Sequence, residues 1–236
     1  MSLCGRAGAA ESSSLRDALF GHPELEAPAP MVARYQGESG QAFTFDRVDR
    51  REALLKFDND PEIWALTPTA GPRGDVIYKN DVGEPVLRTT RLGGLTVFTS
   101  GRPEGVAVAF VGQANAPRPP TVLGPLGFTQ LATQAAVRAS RAAQHLIEFD
   151  APEVTPATEG VYADAIIITA EAFVHVSQRG PDVQKMMTRF SLVRFVSGRG
   201  PAASVRGPTV QITVAPQLGI SGRPSSELIA TVLARR

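Results

Sequence analysis

The sequence has a single cysteine, Cys4, among its 236 residues. One cysteine excludes an intrachain disulfide and a cysteine-based metal cluster. Long apolar runs are also missing, because no stretch approaches the ~18–20 residues that are needed to cross a bilayer. The charges nearly cancel, and a net charge of +1 provides no long-range attraction to nucleic acid or to an anionic membrane. We therefore predict neither a nucleic-acid partner nor a transmembrane segment.

Lysine is scarce, since Lys56, Lys79 and Lys185 are the only residues of that type. The other basic residues are arginines, and a bias toward Arg, Ala, Gly and Pro is typical of a GC-rich genome. Hydrophobic residues make up 43% of the chain, which is ample for a buried core. We predict an N-terminal tail over residues 1–34 and a single α+β domain over residues 35–236.

The N-terminal tail contains one predicted helix, from Ser12 to Gly21. Leu15 and Leu19 lie on one face, and Gly21 can end the helix in the left-handed conformation. A spacer rich in Pro, Glu and Ala follows, so this helix either docks back on the domain or binds a partner. The first ten residues, MSLCGRAGAA, end in small residues, as a signal-peptide cleavage region does. They predict a periplasmic or exported protein, and an ordinary cytoplasmic tail is the alternative.

Residues 71–112 have the most regular pattern in the chain. Four short alternating segments are separated by three turn clusters that contain glycine, and connections this short require antiparallel neighbours. Earlier segments bring the number of strands to six or seven, although residues 50–57 fit a strand or a single helical turn. The pattern predicts an antiparallel β-meander or a small barrel over residues 35–112.

The second half of the chain is predicted to be mainly helical. Residues 128–147 have an apolar stripe rich in alanine, and residues 161–178 form a second helix despite three consecutive isoleucines. Residues 182–196 fit a helix or, from Phe190 onward, a strand, and we favour the helix. Residues 209–214 alternate as a strand, and residues 225–234 form a terminal helix. The fold class is therefore α+β, with a helical layer and one late strand after the meander.

Three arginines lie on or beside successive turns of the meander: Arg88, Arg91 and Arg102. If the fold gathers them at one end of the sheet, their guanidinium groups can hold a carboxylate, a phosphate or an acidic sugar. Asp75 and Asp81 lie on neighbouring turns and can flank a cleft, although turns commonly carry acidic residues. In the alternative interpretation, the arginines pair with nearby acids and have a structural role. The glycines lack the pattern of a phosphate-binding loop, and we predict no cofactor.

Glu171 and His175 are one helical turn apart on the second predicted helix. This spacing can present a carboxylate and an imidazole to one divalent metal. A narrow polar stripe on an otherwise apolar helix is also typical of a solvent-facing edge, so both interpretations stand.

The run GPRGDVIYKNDVGEPVLRTTRLGGLTVFTSGRPEGVAVAFVG, with FDNDPEIWAL before it and GRPSSELIA near the end, resembles an uncharacterised family. That family, a domain of unknown function, comprises small and often exported proteins of Gram-negative bacteria. The resemblance implies export, but it brings no activity or catalytic residues. We predict a non-catalytic envelope or periplasmic protein, either structural or binding an anionic small molecule or an envelope protein. The alternatives are a hydrolase acting on an anionic substrate and a cytoplasmic protein-interaction module.

Overall fold

The computed structural model describes residues 30–38, 40–118 and 123–235, and the predicted N-terminal helix lies outside them. Eight antiparallel strands come first and close into a barrel. They are β1 (Val32–Gly37), β2 (Ala42–Asp46), β3 (Ala53–Phe57), β4 (Ile63–Ala70), β5 (Val76–Lys79), β6 (Pro85–Thr89), β7 (Leu95–Thr99) and β8 (Arg102–Gln113). Each strand pairs with the next, and β1 pairs with β8 to close the barrel. The predicted small barrel is confirmed, with eight strands in place of the expected six or seven, and the undecided segment before Asp58 contains a strand.

Turn glycines and alternating side chains explain why these residues form a barrel. Gly83 and Gly93 have φ angles of 88° and 89°, which a residue without a Cβ adopts at little cost. The interior is filled by buried side chains, including Tyr35, whose ring stacks on Phe43 at 5.8 Å between centroids. An eight-stranded barrel has an interior just wide enough for such side chains. The barrel interior is therefore a packed hydrophobic core.

The second part of the chain packs helices against one face of a small mixed sheet. The helices are α1 (Gly124–Ala143), α2 (Glu159–Ser177), α3 (Pro181–Met187) and α4 (Ser226–Leu233). The strands are β9 (Glu148–Asp150), β10 (Leu192–Ser197), β11 (Ala202–Arg206) and β12 (Thr209–Val214), in the order β11-β12-β10-β9. Strand β10 runs parallel to both β9 and β12, whereas β11 is antiparallel to β12. This sheet and the helices bury a second hydrophobic core, separate from that of the barrel.

Helix α2 lies at the centre of the second core. By length and composition this 19-residue helix is apolar enough to cross a membrane, although the sequence analysis found no such stretch, and 67% of its most apolar 18 residues are buried inside the fold. Ile166 and Ile168 are both fully buried. Tertiary burial therefore outweighs the low helix propensity of β-branched residues, and the predicted helix is confirmed.

Three parts of the second half differ from the sequence-based expectation. Residues 182–196 are divided, since α3 ends at Met187 and β10 begins at Leu192, so a single helix over this range was wrong. The predicted late strand is β12, and three further strands accompany it. Two of those strands, β9 and β11, are only three and five residues long and lack a clear apolar alternation.

Candidate functional site

The two ends of the barrel carry opposite charges. The acidic end consists of the loops at residues 38–41, 58–62, 80–84 and 100–101, which contain no lysine or arginine. The carboxylates of these loops are Glu38, Asp58, Asp60, Glu62, Asp81 and Glu84. The basic end consists of the loops at residues 47–52, 71–75 and 90–94. These loops contain three acids, Asp49, Glu52 and Asp75, and five arginines, Arg47, Arg50, Arg51, Arg73 and Arg91.

Helix α4 begins against the acidic end of the barrel. Asp81 accepts hydrogen bonds from the backbone N–H of Ser225, at 2.8 Å, and from its hydroxyl. Glu62 accepts hydrogen bonds from the backbone N–H of Ser226, at 3.0 Å, and from its hydroxyl. A helix N-terminus carries unpaired N–H groups and a partial positive charge, so two carboxylates stabilise it there. The acidic end is thus a docking surface for the chain's own C-terminal helix.

A buried triad of Glu62, Arg223 and Asp164 reinforces this junction. Arg223 donates to Asp164 at 2.6 Å, to Glu62 at 3.1 Å and to the carbonyl of Ile63 at 2.7 Å. All three triad side chains are at most 4% exposed. Burial raises the pKa of Glu62 from 4.5 to about 7, although Arg223 and the hydrogen bonds from Ser226 lower it. The raised pKa therefore belongs to a closed structural junction, outside the reach of a substrate.

Asp75 organises the opposite, basic end. Its carboxylate accepts a hydrogen bond from Arg88 Nε at 2.7 Å and one from the backbone N–H of Arg91 at 3.3 Å. The hydrogen bond from Arg88 is the largest influence that lowers the pKa of Asp75. Asp75 therefore stays ionised and ties the loop at residues 71–75 to the loop at residues 90–94.

This tie brings Arg73 and Arg91 onto neighbouring turns. Arg73 has a left-handed backbone, with φ 59° and ψ 20°, and Gly74 follows with φ 85°. The side chain of Arg91 crosses Gly74, since its Cδ lies 3.7 Å from where a Cβ on Gly74 would stand. Across residues 30–38, 40–118 and 123–235, neither guanidinium group has an ion-pair partner. The basic end thus presents two exposed cations, of which Arg73 also interacts electrostatically with Asp75.

The predicted arginine cluster is brought together only in part. The side chain of Arg88 and the backbone N–H of Arg91 meet at Asp75, but Arg102 begins β8 at the acidic end, where it lies 3.9 Å from Glu104. Asp75 and Asp81 do not flank one cleft, because they lie beyond opposite ends of β5. The structural role expected as the alternative applies to Arg88, which pairs with Asp75.

Glu171 and His175 show no arrangement of metal ligands. Glu171 is buried and forms an ion pair with Arg138 of α1, with 2.7 Å between Oε1 and Nη1. Within the described residues, no group of three or more His, Cys, Asp or Glu side chains is placed to hold a metal ion. The Glu171–Arg138 pair instead joins α1 to α2.

Sequence reasoning missed two residues that matter most. Arg73 was placed in a turn but not among the candidate anion ligands, although an Arg-Gly sequence at a tight turn signals an unusual backbone. Arg223 and its partner Glu62 lie in two of the runs that carry the family resemblance, but they are 161 residues apart, so no local pattern indicated that they pair.

The fold and the charged surfaces define an α+β protein in which a closed eight-stranded barrel contacts a helical and mixed-sheet unit. The contacts lie at the acidic end, through α4 and Arg223, and at the loop of Glu52, which accepts a hydrogen bond from Ser221. The chain belongs to the family described as Domain of unknown function (DUF4908), whose sequence model matches residues 14–233. No curated protein and no solved structure matches the chain.

Proposed function

We propose that this protein is a non-catalytic binding protein, and that the basic end of its barrel holds an anionic group such as a phosphate or a carboxylate. The observation that carries the proposal is the pair of exposed guanidinium groups of Arg73 and Arg91, which the tie through Asp75 holds on adjacent turns. Guanidinium groups form strong two-point hydrogen bonds with planar or tetrahedral oxyanions.

The backbone of Arg73 supports the same function. A left-handed conformation costs an L-residue roughly 1–2 kcal/mol, which glycine avoids. Strained residues of this kind cluster at functional sites. An arginine at this position therefore makes the turn less stable than a glycine would. Contact between the arginine side chain and a ligand would explain why an arginine is present.

Binding of inorganic phosphate, and separately of citrate, to the full chain tests the proposal. We expect the amide resonance of Gly74 and the side-chain Nε–Hε resonances of Arg73 and Arg91 to shift on titration at low ionic strength. Arg73→Gly should weaken binding at least fivefold while raising the free energy of unfolding by about 1 kcal/mol. Arg91→Ala should weaken binding to a similar extent.

Arg102→Ala is the matched control, because Arg102 is an exposed arginine at the other end of the barrel. It should leave the dissociation constants unchanged. The proposal is wrong if Arg73→Gly binds both anions as well as the wild type, or if Arg102→Ala weakens binding equally.

Export to the periplasm is a further proposal, supported by the small residues that end MSLCGRAGAA and by the resemblance noted above. Fractionation of the native host tests it, since a protein found only in the cytoplasmic fraction contradicts export.

A further inference from the structure

Helix α1 and strand β9 enclose an apolar groove on the surface of the second unit, with a volume of about 520 Å³. Its walls include Phe128, Ala132, Ala136 and Val137 from α1, and Leu146 and Phe149 from the β9 side. Leu146 is 69% exposed and Val137 is 43% exposed. Of the ten large hydrophobic side chains that are exposed in the described part of the chain, four lie between residues 123 and 146. The groove is therefore an exposed apolar surface within the described part of the chain.

The groove also runs beside an open sheet edge. Strand β9 is last in the order β11-β12-β10-β9, so it pairs with β10 on one side only. Proteins commonly cover such an edge with a helix or a loop, because unpaired N–H and C=O groups invite association.

We propose that residues 14–20 of this chain occupy the groove, placing Leu15 and Leu19 against Val137 and Leu146. The segment lies outside the described residues, and its sequence predicts a helix with those leucines on one face. A helix of about ten residues is marginal in water unless it buries an apolar face. The family match begins at residue 14, so it includes this segment together with both folded units.

The length of the intervening chain allows this contact. Ala114 donates a hydrogen bond to the carbonyl of Val32 at 3.2 Å, so the segment before β1 and the linker after β8 leave the barrel side by side. Nine residues lead from Ala114 to Leu123 at the start of α1, and nine residues separate Phe20 from Pro30. Each stretch spans at most about 30 Å when fully extended. From the same side of the barrel, residues 14–20 can therefore reach as far as the start of α1.

The dimensions also agree. The groove follows α1 from Phe128 to Ser140, which is about 18 Å at the rise of an α-helix. A helix of ten residues is about 15 Å long and fits within that distance.

Disulfide trapping in the full chain tests the proposal. In a Cys4→Ser background, Leu19→Cys combined with Val137→Cys should form an intramolecular disulfide at least tenfold faster than Asp17→Cys combined with Val137→Cys. Asp17 is the matched control, because it lies on the opposite face of the predicted helix. Equal rates for the two pairs would overturn the proposal. Disulfides that only join two chains would also overturn it, and they would assign the groove to another copy of the protein.

Hydrogen exchange provides a second readout. The double variant Leu15→Glu with Leu19→Glu should speed exchange of peptides covering residues 146–151 at least fivefold, whereas Ser13→Glu with Asp17→Glu, on the opposite face of the predicted helix, should not. Unchanged exchange in the leucine variant contradicts docking in the groove. Both tests are independent of anion binding at the barrel, so the failure of one proposal leaves the other intact.

Discussion

Glu62 should make the stability of the protein depend on pH near neutrality. Arg223 is the only cation in a buried triad with two carboxylates, Glu62 and Asp164, so the triad carries one excess negative charge when both are ionised. A proton on Glu62 removes that charge from the protein interior. The protonated carboxyl group still accepts the N–H of Ser226 and can donate to its hydroxyl oxygen. We therefore expect the folded state to favour a protonated Glu62.

The magnitude follows from the two pKa values. The pKa of Glu62 is about 7 in the folded protein and 4.5 as the ordinary value, and each unit corresponds to 1.36 kcal/mol. Because the folded pKa is raised, the stabilisation is fully present below pH 4.5 and is lost as the pH rises through 7. The free energy of unfolding should fall by roughly 2–3 kcal/mol between pH 5 and pH 8 through this group alone.

Urea unfolding at pH 5, 6, 7 and 8, followed by the fluorescence of Trp64, measures this effect. Glu62→Gln keeps the size of the side chain and cannot ionise, so the difference between wild type and variant isolates the titration of Glu62. That difference should change by roughly 2–3 kcal/mol across the range. Glu104→Gln is the control, since Glu104 is exposed, and it should keep the pH dependence of the wild type. A Glu62→Gln variant with the same pH dependence as the wild type would refute the reasoning.

Three other variants test the junction and the barrel by urea unfolding. Arg223→Ala should lower the free energy of unfolding by about 3–5 kcal/mol, because it leaves two buried carboxylates unpaired. A decrease below about 1 kcal/mol would contradict this role of Arg223. Ser225→Ala removes the N-cap hydroxyl of α4, which accepts a hydrogen bond from Leu228 N at 3.0 Å, and should lower the free energy of unfolding by about 1 kcal/mol. Gly105→Ala should cost more than about 2 kcal/mol, since φ is 83° and the new Cβ would lie 2.7 Å from Phe98; wild-type stability would contradict that geometry.

Local turn chemistry explains how much of the barrel could be predicted. Glycines such as Gly83 and Gly93 mark tight hairpins, and hairpins force neighbouring strands to be antiparallel. Closure depends on the pairing of β1 with β8, which begin 70 residues apart at Val32 and Arg102. No local pattern specifies that pairing, so the sequence left a curved sheet and a barrel as alternatives. Short strands such as β11 were missed because their sequence, AASVR, has little β propensity.

The predicted arginine site was incomplete for a geometric reason. Successive hairpin turns of an antiparallel barrel lie at alternate ends, so every second turn shares an end. Arg91 and Arg102 lie at successive turns and therefore cannot meet, whereas Arg73 lies two turns before Arg91 and can. Counting turns would have replaced Arg102 with Arg73 from the sequence alone. The junction at Arg223 is different, because its contacts join distant parts of the chain that only the folded structure brings together.

Burial decides which of the two charged barrel ends serves structure and which can serve binding. At the acidic end, Glu62 is buried against Arg223 and the N-terminus of α4, so its interactions are shielded from salt, and the exposed Asp81 accepts hydrogen bonds from Ser225 at the same helix terminus. At the basic end, Asp75 satisfies Arg88 and leaves Arg73 and Arg91 exposed on adjacent turns. The same chemistry of guanidinium and carboxylate thus produces a closed junction at one end and, at the other, two exposed cations where we propose that an anion binds.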